Sequence, residues 1–300
     1  MSSPPQLTLP SLLMLLALAA VWGGSFFFAE IALTELSPMT VTLHRVLWAL
    51  PMLFVVVKFA GVPIPTDPKV WGAYLVMGAL NNAIPFTLIF WGQTQIDSGL
   101  ASILNGMTAI SGAVIAGLLL KDEPLTAPKI FGALFGVAGV AVIVGPDALQ
   151  SLSLANIGQF AILLAGVSYS LASVWGRTKL GRQPPLVNAL GMIAGSTVLM
   201  VPLVFLVDGV PKFEMSATVF AAMLGLVMLS TVLAYLLYFA VLVRAGAANL
   251  MLVTLLIPPF AIALGVLFLG EVMTLTAWIG FALIAVGLLV TDGRIFRGSL

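Results

Sequence analysis

The 300-residue sequence has no cysteine, one histidine and few charged side chains. The missing cysteine excludes disulfides, iron–sulfur clusters and cysteine-ligated zinc, and a single histidine excludes a multi-histidine metal site. Charged residues make up 8% of the chain, against roughly 25% in an average soluble protein. The net charge of +1 gives no signal for nucleic-acid binding, and no P-loop run is present to bind ATP. The sequence therefore predicts no cofactor, no metal and no nucleic-acid partner.

Apolar residues dominate, at 61% of the sequence, and a membrane-spanning helix takes about 20 of them. The apolar runs are continuous rather than alternating, which favours helices over a transmembrane barrel. They leave no room for a separate soluble catalytic domain. The sequence predicts an all-α integral membrane protein with ten transmembrane helices. The ten runs are Leu9–Ala29, Pro38–Val57, Val70–Ile96, Ser98–Leu120, Ala127–Gly145, Leu154–Gly176, Pro185–Val207, Ser216–Val243, Ala247–Gly270 and Leu275–Thr291.

The basic residues orient these helices. With ten spans, Arg45 and Lys212 lie on one side of the membrane, and the other Lys and Arg residues share the side of both termini. Basic residues accumulate on the cytoplasmic side of membrane proteins. We therefore expect cytoplasmic N and C termini in a multi-pass protein of the cell inner membrane. The first run is expected to stay uncleaved, because Met1–Pro10 carries no basic residue and the run is long enough to span.

The chain contains a repeat with an offset of 148 residues. This offset aligns Glu123 with Glu271, Gly132 with Gly280 and Gly139 with Gly287, and a shared register of this kind indicates a duplication. The predicted units are residues 9–146 and 154–292, with five helices each. Because five is odd, the second unit enters the membrane inverted, which is typical of secondary transporters.

These segments resemble the EamA-type drug/metabolite transporters, and within them the bacterial amino-acid exporters of the YddG type. The resemblance implies ten helices, an inverted repeat and the export of small metabolites. It covers nearly the whole chain and says little about the substrate. It rests on Leu118–Val144, Leu267–Val290, Trp22-Gly23, Ser25, Pro38 and His44-Arg45.

The third run carries the best candidates for a substrate site. Asn81 and Asn82 lie near its centre, followed by Pro85 and Trp91. Amides facing lipid are costly, so at least one must face protein or water. Pro85 lacks a backbone donor and frees a carbonyl one turn earlier. The stripe either contacts substrate or forms hydrogen bonds between helices.

Aromatic residues and a second proline site complete the candidates. Trp22, Tyr169 and Tyr235 have polar tips that need partners when buried, and Ser25 beside Trp22 permits close approach. Pro258-Pro259 near the centre of the ninth run predicts a hinge or unwound turn with a gating role. Static packing is the alternative for both groups. Gly132, Gly139, Gly280 and Gly287 are expected to pack helices within one chain or between two.

Ionisable residues near span ends decide the expected coupling. Glu30, His44 and Arg45 are candidate proton or ion-pair groups, and Arg45 is expected either to snorkel to the membrane surface or to pair with Glu30 or Glu35. Glu123 and Glu271 precede spans five and ten and are interpreted as caps of those helices. No Asp or Glu falls near the centre of a span, which argues against an organic-cation/proton antiporter.

The sequence therefore predicts a secondary transporter that exports small neutral or zwitterionic metabolites by alternating access without ATP. Amino acids, including aromatic and large apolar ones, are the leading substrates, and this assignment depends on the family resemblance. A proton-coupled exporter of drugs and amphiphiles is the alternative. An enzyme is not expected, because paired mid-membrane carboxylates and a Ser–His dyad are missing. The expected partners are a small-molecule substrate and the lipid bilayer, with no obligate protein partner.

Overall fold

The computed structural model describes residues 8–144 and 153–292, and the regular structure within these ranges is helical. Eight helices are long and apolar enough to cross a membrane, and two shorter apolar helices follow them. The protein is thus a multi-pass α-helical membrane protein. The helices are α1 Leu9–Ala32, α2 Pro38–Phe59, α3 Pro68–Gln93, α4 Ser98–Leu119, α5 Ala127–Val144, α6 Leu154–Leu180, α7 Pro185–Val207, α8 Ala217–Gly246, α9 Val253–Leu269 and α10 Leu275–Thr291.

Hydroxyl side chains cap the N-termini of several of these helices. Ser37 Oγ accepts a hydrogen bond from Thr40 N at 3.1 Å at the start of α2, and Ser216 Oγ accepts one from Val219 N at 3.2 Å at the start of α8. Such caps satisfy backbone donors that have no partner within the helix. The first residue of α2 is Pro38. Its missing N–H costs nothing there, because backbone N–H groups in the first turn have no partner within the helix.

Three helices contain π-helical turns, which are frequent at functional sites. They lie at Ala79–Ala83 in α3, Gly225–Leu233 in α8 and Gly265–Leu269 at the end of α9. Asn82 and Ser230, in the first two of these turns, are related by the 148-residue offset. The same irregularity therefore recurs in both halves of the chain, although only the first half carries a proline behind it.

The expected unwound turn at Pro258-Pro259 is absent. Residues Val253–Leu264 are helical through both prolines. The break lies earlier, at Gly246, whose φ of 79° falls in the left-handed region that glycine tolerates best. Helix α9 begins at Val253, later than the predicted Ala247. The gating role of the two prolines stays a prediction.

The packing of the helices has a two-fold pattern. Helix α1 packs on α9 and α8, while α6 packs on α4 and α3. Helix α2 packs on α7, and α5 on α10. Exchanging α1–α5 with α6–α10 converts the two α1 pairs into the two α6 pairs and each of the other two pairs into itself.

Glycines bring α5 and α10 into close contact within one chain. A Cβ added to Gly139 would lie 2.7 Å from Gly280 O, and one added to Gly287 would lie 2.6 Å from Gly132 O. The 148-residue offset exchanges these two contacts. Of the two arrangements expected for these glycines, the structure shows packing within the chain.

The connections between helices gather at two ends of the bundle. Hydrogen bonds join the connection 33–37 to 208–216, and the connection 270–274 to the first turn of α4; we call this the Asp208 end. We call the opposite end the Arg177 end. There Arg177, in the last turn of α6, pairs with Asp122 and Glu123 in the connection 120–126.

Candidate functional site

A cavity of ≈ 380 Å³ lies between the two halves of the chain. Its walls come from α1–α4 and from α6–α9, so neither half forms the cavity alone. The lining combines aromatic rings, amides and hydroxyls with a single charged side chain. The residues that supply polar atoms are Trp22, Ser25, Arg45, Asn81, Gln93, Ser102, Asn105, Thr108, Tyr169, Asn188, Ser230, Tyr235, Tyr238 and Thr254.

Five of the predicted substrate-binding residues line this cavity. They are Trp22, Ser25, Asn81, Tyr169 and Tyr235. Arg45 also lines the cavity, although it was expected to form an ion pair and not to contact the substrate.

Asn82 lies directly behind the cavity wall and is fully buried. It accepts a hydrogen bond from Tyr235 Oη at 3.3 Å and donates one to Ser196 Oγ at 3.4 Å. The adjacent Asn81 donates to Met192 Sδ at 3.4 Å. The pair therefore joins α3 to α7 and α8 at the cavity, as the helix–helix alternative expected, and substrate contact by Asn81, which also lines the cavity, stays a prediction.

The remaining candidates lie outside the lining. Trp91, Pro85, Pro258 and Pro259 are not among the residues that face the cavity. Neither are His44 and Glu30, which lie toward the Asp208 end. All six residues lie on helices that line the cavity, but their side chains are not part of the cavity wall.

Arg45 extends into the cavity wall and makes hydrogen bonds from every nitrogen. Nε donates to Thr231 Oγ1 at 3.0 Å, Nη1 to Ser25 Oγ at 3.3 Å, and Nη2 to Ser230 O at 3.1 Å. Its guanidinium carbon lies 3.9 Å from the centre of the Phe86 ring, within cation–π range. The side chain is 5% exposed.

The expected ion pair of Arg45 with Glu30 or Glu35 is wrong. Within the described residues, salt bridges form only at Arg177. Glu30 instead accepts from Gln93, and Glu35 from Ser216 N at 2.9 Å. Arg45 points inward because α8 offers hydroxyl and carbonyl acceptors there, whereas both carboxylates lie at the Asp208 end.

Gln93 presents an unpaired acceptor at the cavity. Its Nε2 donates to Phe26 O at 2.9 Å and to Glu30 Oε2 at 3.0 Å. Both partners are acceptors, so the amide nitrogen must face them, and Oε1 faces away. Oε1 of Gln93 and Oδ1 of Asn105 are buried and have no hydrogen-bond partner among the described residues. Buried polar atoms are usually paired, and because protein covers both oxygens, a donor on a bound solute reaches them only after neighbouring side chains shift.

Hydrogen bonds join the two halves at the Asp208 end. The Asp208 carboxylate accepts from Ser37 and from Thr40 Oγ1, the latter at 2.9 Å. His44 Nε2 donates to Lys212 O at 2.8 Å. Hydrogen bonds from Ser216 hold the pKa of Glu35 below its ordinary value. These contacts tie α1 and α2 to the start of α8.

Glu271 joins the halves at the same end, on the other side of the cavity. Its carboxylate accepts from the backbone N–H groups of Ser98 and Gly99, at the start of α4. The interpretation of Glu271 as a cap of its own following helix is therefore wrong, because α4 offers it unpaired backbone donors across the interface. Burial, and then the nearby Glu271 carboxylate, raise the pKa of Asp97.

Sequence reasoning missed several lining residues. Asn105, Asn188 and Ser230 are isolated polar residues in apolar helices, with no local motif around them. Ser230 had one available signal, because the 148-residue offset aligns it with Asn82. No group of three or more His, Cys, Asp or Glu side chains is placed to hold a metal ion in the part of the chain that is described.

A multi-pass helical bundle with a cavity lined by both of its halves is typical of a transporter of small solutes. The chain belongs to the EamA-like transporter family, whose model matches residues 9–145 and 156–291. This family is one of transporters, not of enzymes.

Relatives match along most of the chain. A transporter of uncharacterised function from Bacillus subtilis, YoaV, is 22% identical over 91% of this chain and 94% of its own length. An uncharacterised transporter from Archaeoglobus fulgidus is 25% identical over 94% and 97%. A probable terminal-alkyne amino-acid exporter from Streptantibioticus cattleyicolor is 26% identical over 72% and 71%. A solved crystal structure superposes with a TM-score of 0.69 at 18% identity, covering 97% of this chain and 99% of that one, and it shares the fold.

Proposed function

We propose that this chain exports amino acids, including aromatic and large apolar ones, across the cell inner membrane by alternating access. The observation that carries the proposal is the composition of the cavity wall. The unpaired oxygens of Gln93 and Asn105 suit an ammonium group, and the rings of Trp22, Phe86 and Phe90 suit an apolar side chain. A volume of ≈ 380 Å³ lies in the range of small-molecule sites, about 300–1,000 Å³. The named amino-acid exporter among the relatives supports the same substrate class.

The proposal includes ten transmembrane helices in two inverted units, residues 9–146 and 154–292. The two-fold pattern of helix pairs and the exchange of the glycine contacts between α5 and α10 support the inversion. Residues 145 and 146 and both termini lie outside the described residues. We propose that the termini are cytoplasmic, which makes the Arg177 end cytoplasmic and the Asp208 end external.

Alternating access then requires each end to open while the other closes. Hydrogen bonds join the halves at the Asp208 end, and salt bridges of Arg177 join them at the Arg177 end, so both sets must rearrange during the exchange. Pro258 and Pro259 are proposed to act in the exchange between the two conformations, and neither ATP nor a protein partner is required.

Counterflow in liposomes tests the substrate class. Purified protein is reconstituted into vesicles loaded with one unlabelled amino acid, and uptake of the same labelled amino acid is followed. We expect accumulation with phenylalanine, leucine and similar amino acids, and none in vesicles without protein. Counterflow of cationic amphiphiles alone would favour the drug exporter that the sequence left as the alternative.

A further inference from the structure

Arg45 is the one charged side chain in the described lining of the cavity, and no carboxylate lies beside it. A buried charge is costly unless an opposite charge or sufficient hydrogen bonds compensate it. Here the compensation comes from two hydroxyls, one carbonyl and the face of Phe86. The cavity therefore has a net positive charge when it holds no solute.

The hydrogen bonds of Arg45 leave a specific set of donors unused. A guanidinium has five N–H donors, two on each terminal nitrogen. Within the described residues, Nη1 has one acceptor, Ser25 Oγ, and Nη2 has one, Ser230 O. One donor on each terminal nitrogen thus remains, and two adjacent donors are what the two oxygens of a carboxylate take in a bidentate pair.

We infer that Arg45 binds the carboxylate of the transported solute and that this contact decides the substrate class. The inference builds on the proposed function and narrows it to compounds with one carboxylate. A carboxylate neutralises the charge of the cavity, whereas an ammonium group adds a second positive charge and meets only neutral amides and hydroxyls in the described lining. Removing the carboxylate from a solute should therefore weaken binding more than removing its ammonium group.

The neighbours of Arg45 hold the guanidinium in place for this task. Thr231 Oγ1 donates to Leu226 O at 2.9 Å within the π-helical turn, so its lone pairs face Arg45 Nε. Phe86, Phe90 and Gln93 follow one another on one face of α3, so the ring under Arg45 and the free amide oxygen share a wall. One wall of the cavity thus carries both the positively charged Arg45 guanidinium and the Gln93 amide, and the same solute can contact both.

Four compounds with one phenyl skeleton separate the contributions in the unchanged protein. They are phenylalanine, 3-phenylpropanoate, which keeps only the carboxylate, phenethylamine, which keeps only the ammonium group, and phenylalaninamide. Binding to the purified transporter is measured by calorimetry. We expect the two carboxylates to bind and the other two compounds to bind roughly tenfold to a hundredfold more weakly, as for loss of a hydrogen-bonded charge partner. Equal binding of phenylalaninamide and phenylalanine would overturn the inference.

Arg45→Gln tests the assigned residue, with Arg244→Gln as the matched control. Arg244 is an exposed cation on α8 that bonds to its own helix. In Arg45→Gln, the two carboxylates should lose roughly tenfold or more in affinity, while phenethylamine should bind as well as before or better. A purely structural role for Arg45 would instead weaken all four compounds alike. The control should leave the wild-type order unchanged.

The outcomes separate this inference from the proposed function. Binding of 3-phenylpropanoate through Arg45 without amino-acid counterflow would overturn amino-acid export and keep the carboxylate site. Amino-acid counterflow in which phenylalaninamide competes as well as phenylalanine would keep amino-acid export and overturn the carboxylate site. Because the analogue series uses the unchanged protein, the test stands even if Arg45→Gln fails to fold.

Discussion

The Glu271 carboxylate accepts hydrogen bonds from Ser98 N at 2.8 Å and from Gly99 N at 3.0 Å, and so attaches the connection before α10 to the first turn of α4. A Cβ added to Gly265 would lie 2.7 Å from Glu271 Cδ, so only glycine fits beneath it. Its repeat counterpart, Glu123, pairs with Arg177 instead. The two equivalent glutamates therefore join the halves at opposite ends of the bundle, through a cation at one end and backbone N–H groups at the other.

Glu271→Gln should loosen the Asp208 end. An amide cannot accept two backbone N–H bonds with the strength of a carboxylate at a helix N-terminus. Because the native chain has no cysteine, Ser102→Cys in the cavity gives a single reactive thiol. Labelling of that thiol by an impermeant maleimide applied from the Asp208 end should rise when Glu271→Gln is added. The exposed Glu214→Gln is the control, and an unchanged rate in Glu271→Gln would contradict a role of Glu271 in joining the halves there.

Asn81→Ala and Asn82→Ala should each reduce transport several-fold. Asn81 lines the cavity, and loss of Asn82 leaves the Tyr235 hydroxyl without its partner, at a cost of about 1–3 kcal/mol for an unpaired buried group. Counterflow rates at equal protein density measure the effect. Expression and monodispersity should stay near wild type, as in the control Thr178→Ala on an exposed face of α6. Normal transport in both asparagine variants would assign the pair to packing.

Gly287→Ala should destabilise the contact between α5 and α10. The added methyl would meet Gly132 O at 2.6 Å, and overpacking of this kind costs about 1–3 kcal/mol. The matched control is Gly72→Ala, since a Cβ at Gly72 meets nothing within 4 Å. That substitution should leave stability unchanged or raise it by about 0.5–1 kcal/mol. Thermal unfolding in one detergent compares the two variants, and equal midpoints would refute the packing argument.

Reporter fusions should assign the two ends to the two sides of the membrane. A fusion in the connection Arg177–Arg182 should read cytoplasmic, as should one after Leu300. A fusion near Asp147–Gln150 should read external. The last two positions lie outside the described residues, so these fusions test the proposed topology independently of the structure. A cytoplasmic reading near Asp147 would remove the inverted model.

Flux should follow the substrate gradient and respond little to an imposed pH gradient. No carboxylate lines the described cavity wall, so no acidic group in contact with the solute must exchange a proton in each cycle. His44→Gln should keep gradient-driven flux, because His44 bonds to Lys212 O at the Asp208 end rather than to the cavity. Uphill movement driven by a pH gradient alone, and lost in His44→Gln or Glu30→Gln, would make the protein a proton antiporter.

The amino-acid sequence was sufficient for the membrane class, the helices and the repeat. Continuous apolar runs form helices in lipid because every backbone group must be satisfied within its own segment. The same local logic indicated α3 as a wall of the site, since Asn81 and Asn82 interrupt an apolar run and cannot face lipid cheaply. The offset of 148 residues was visible in glycines because close packing of α5 on α10 leaves no room for a side chain.

The tertiary structure alone decided the partners of the charged residues. Arg45 and Glu30 are close enough in the topology to suggest an ion pair, but the acceptors of Arg45 lie 185 and 186 residues away on α8. Glu271 likewise finds its donors 172 and 173 residues away, at the start of α4. Contacts across an interface depend on how two helices are rotated and shifted against each other, and no local pattern of residues encodes that placement. For this reason the sequence indicated α3 as a wall of the cavity, while the packing of the two halves determined that Arg45, and no carboxylate of the described residues, lines it.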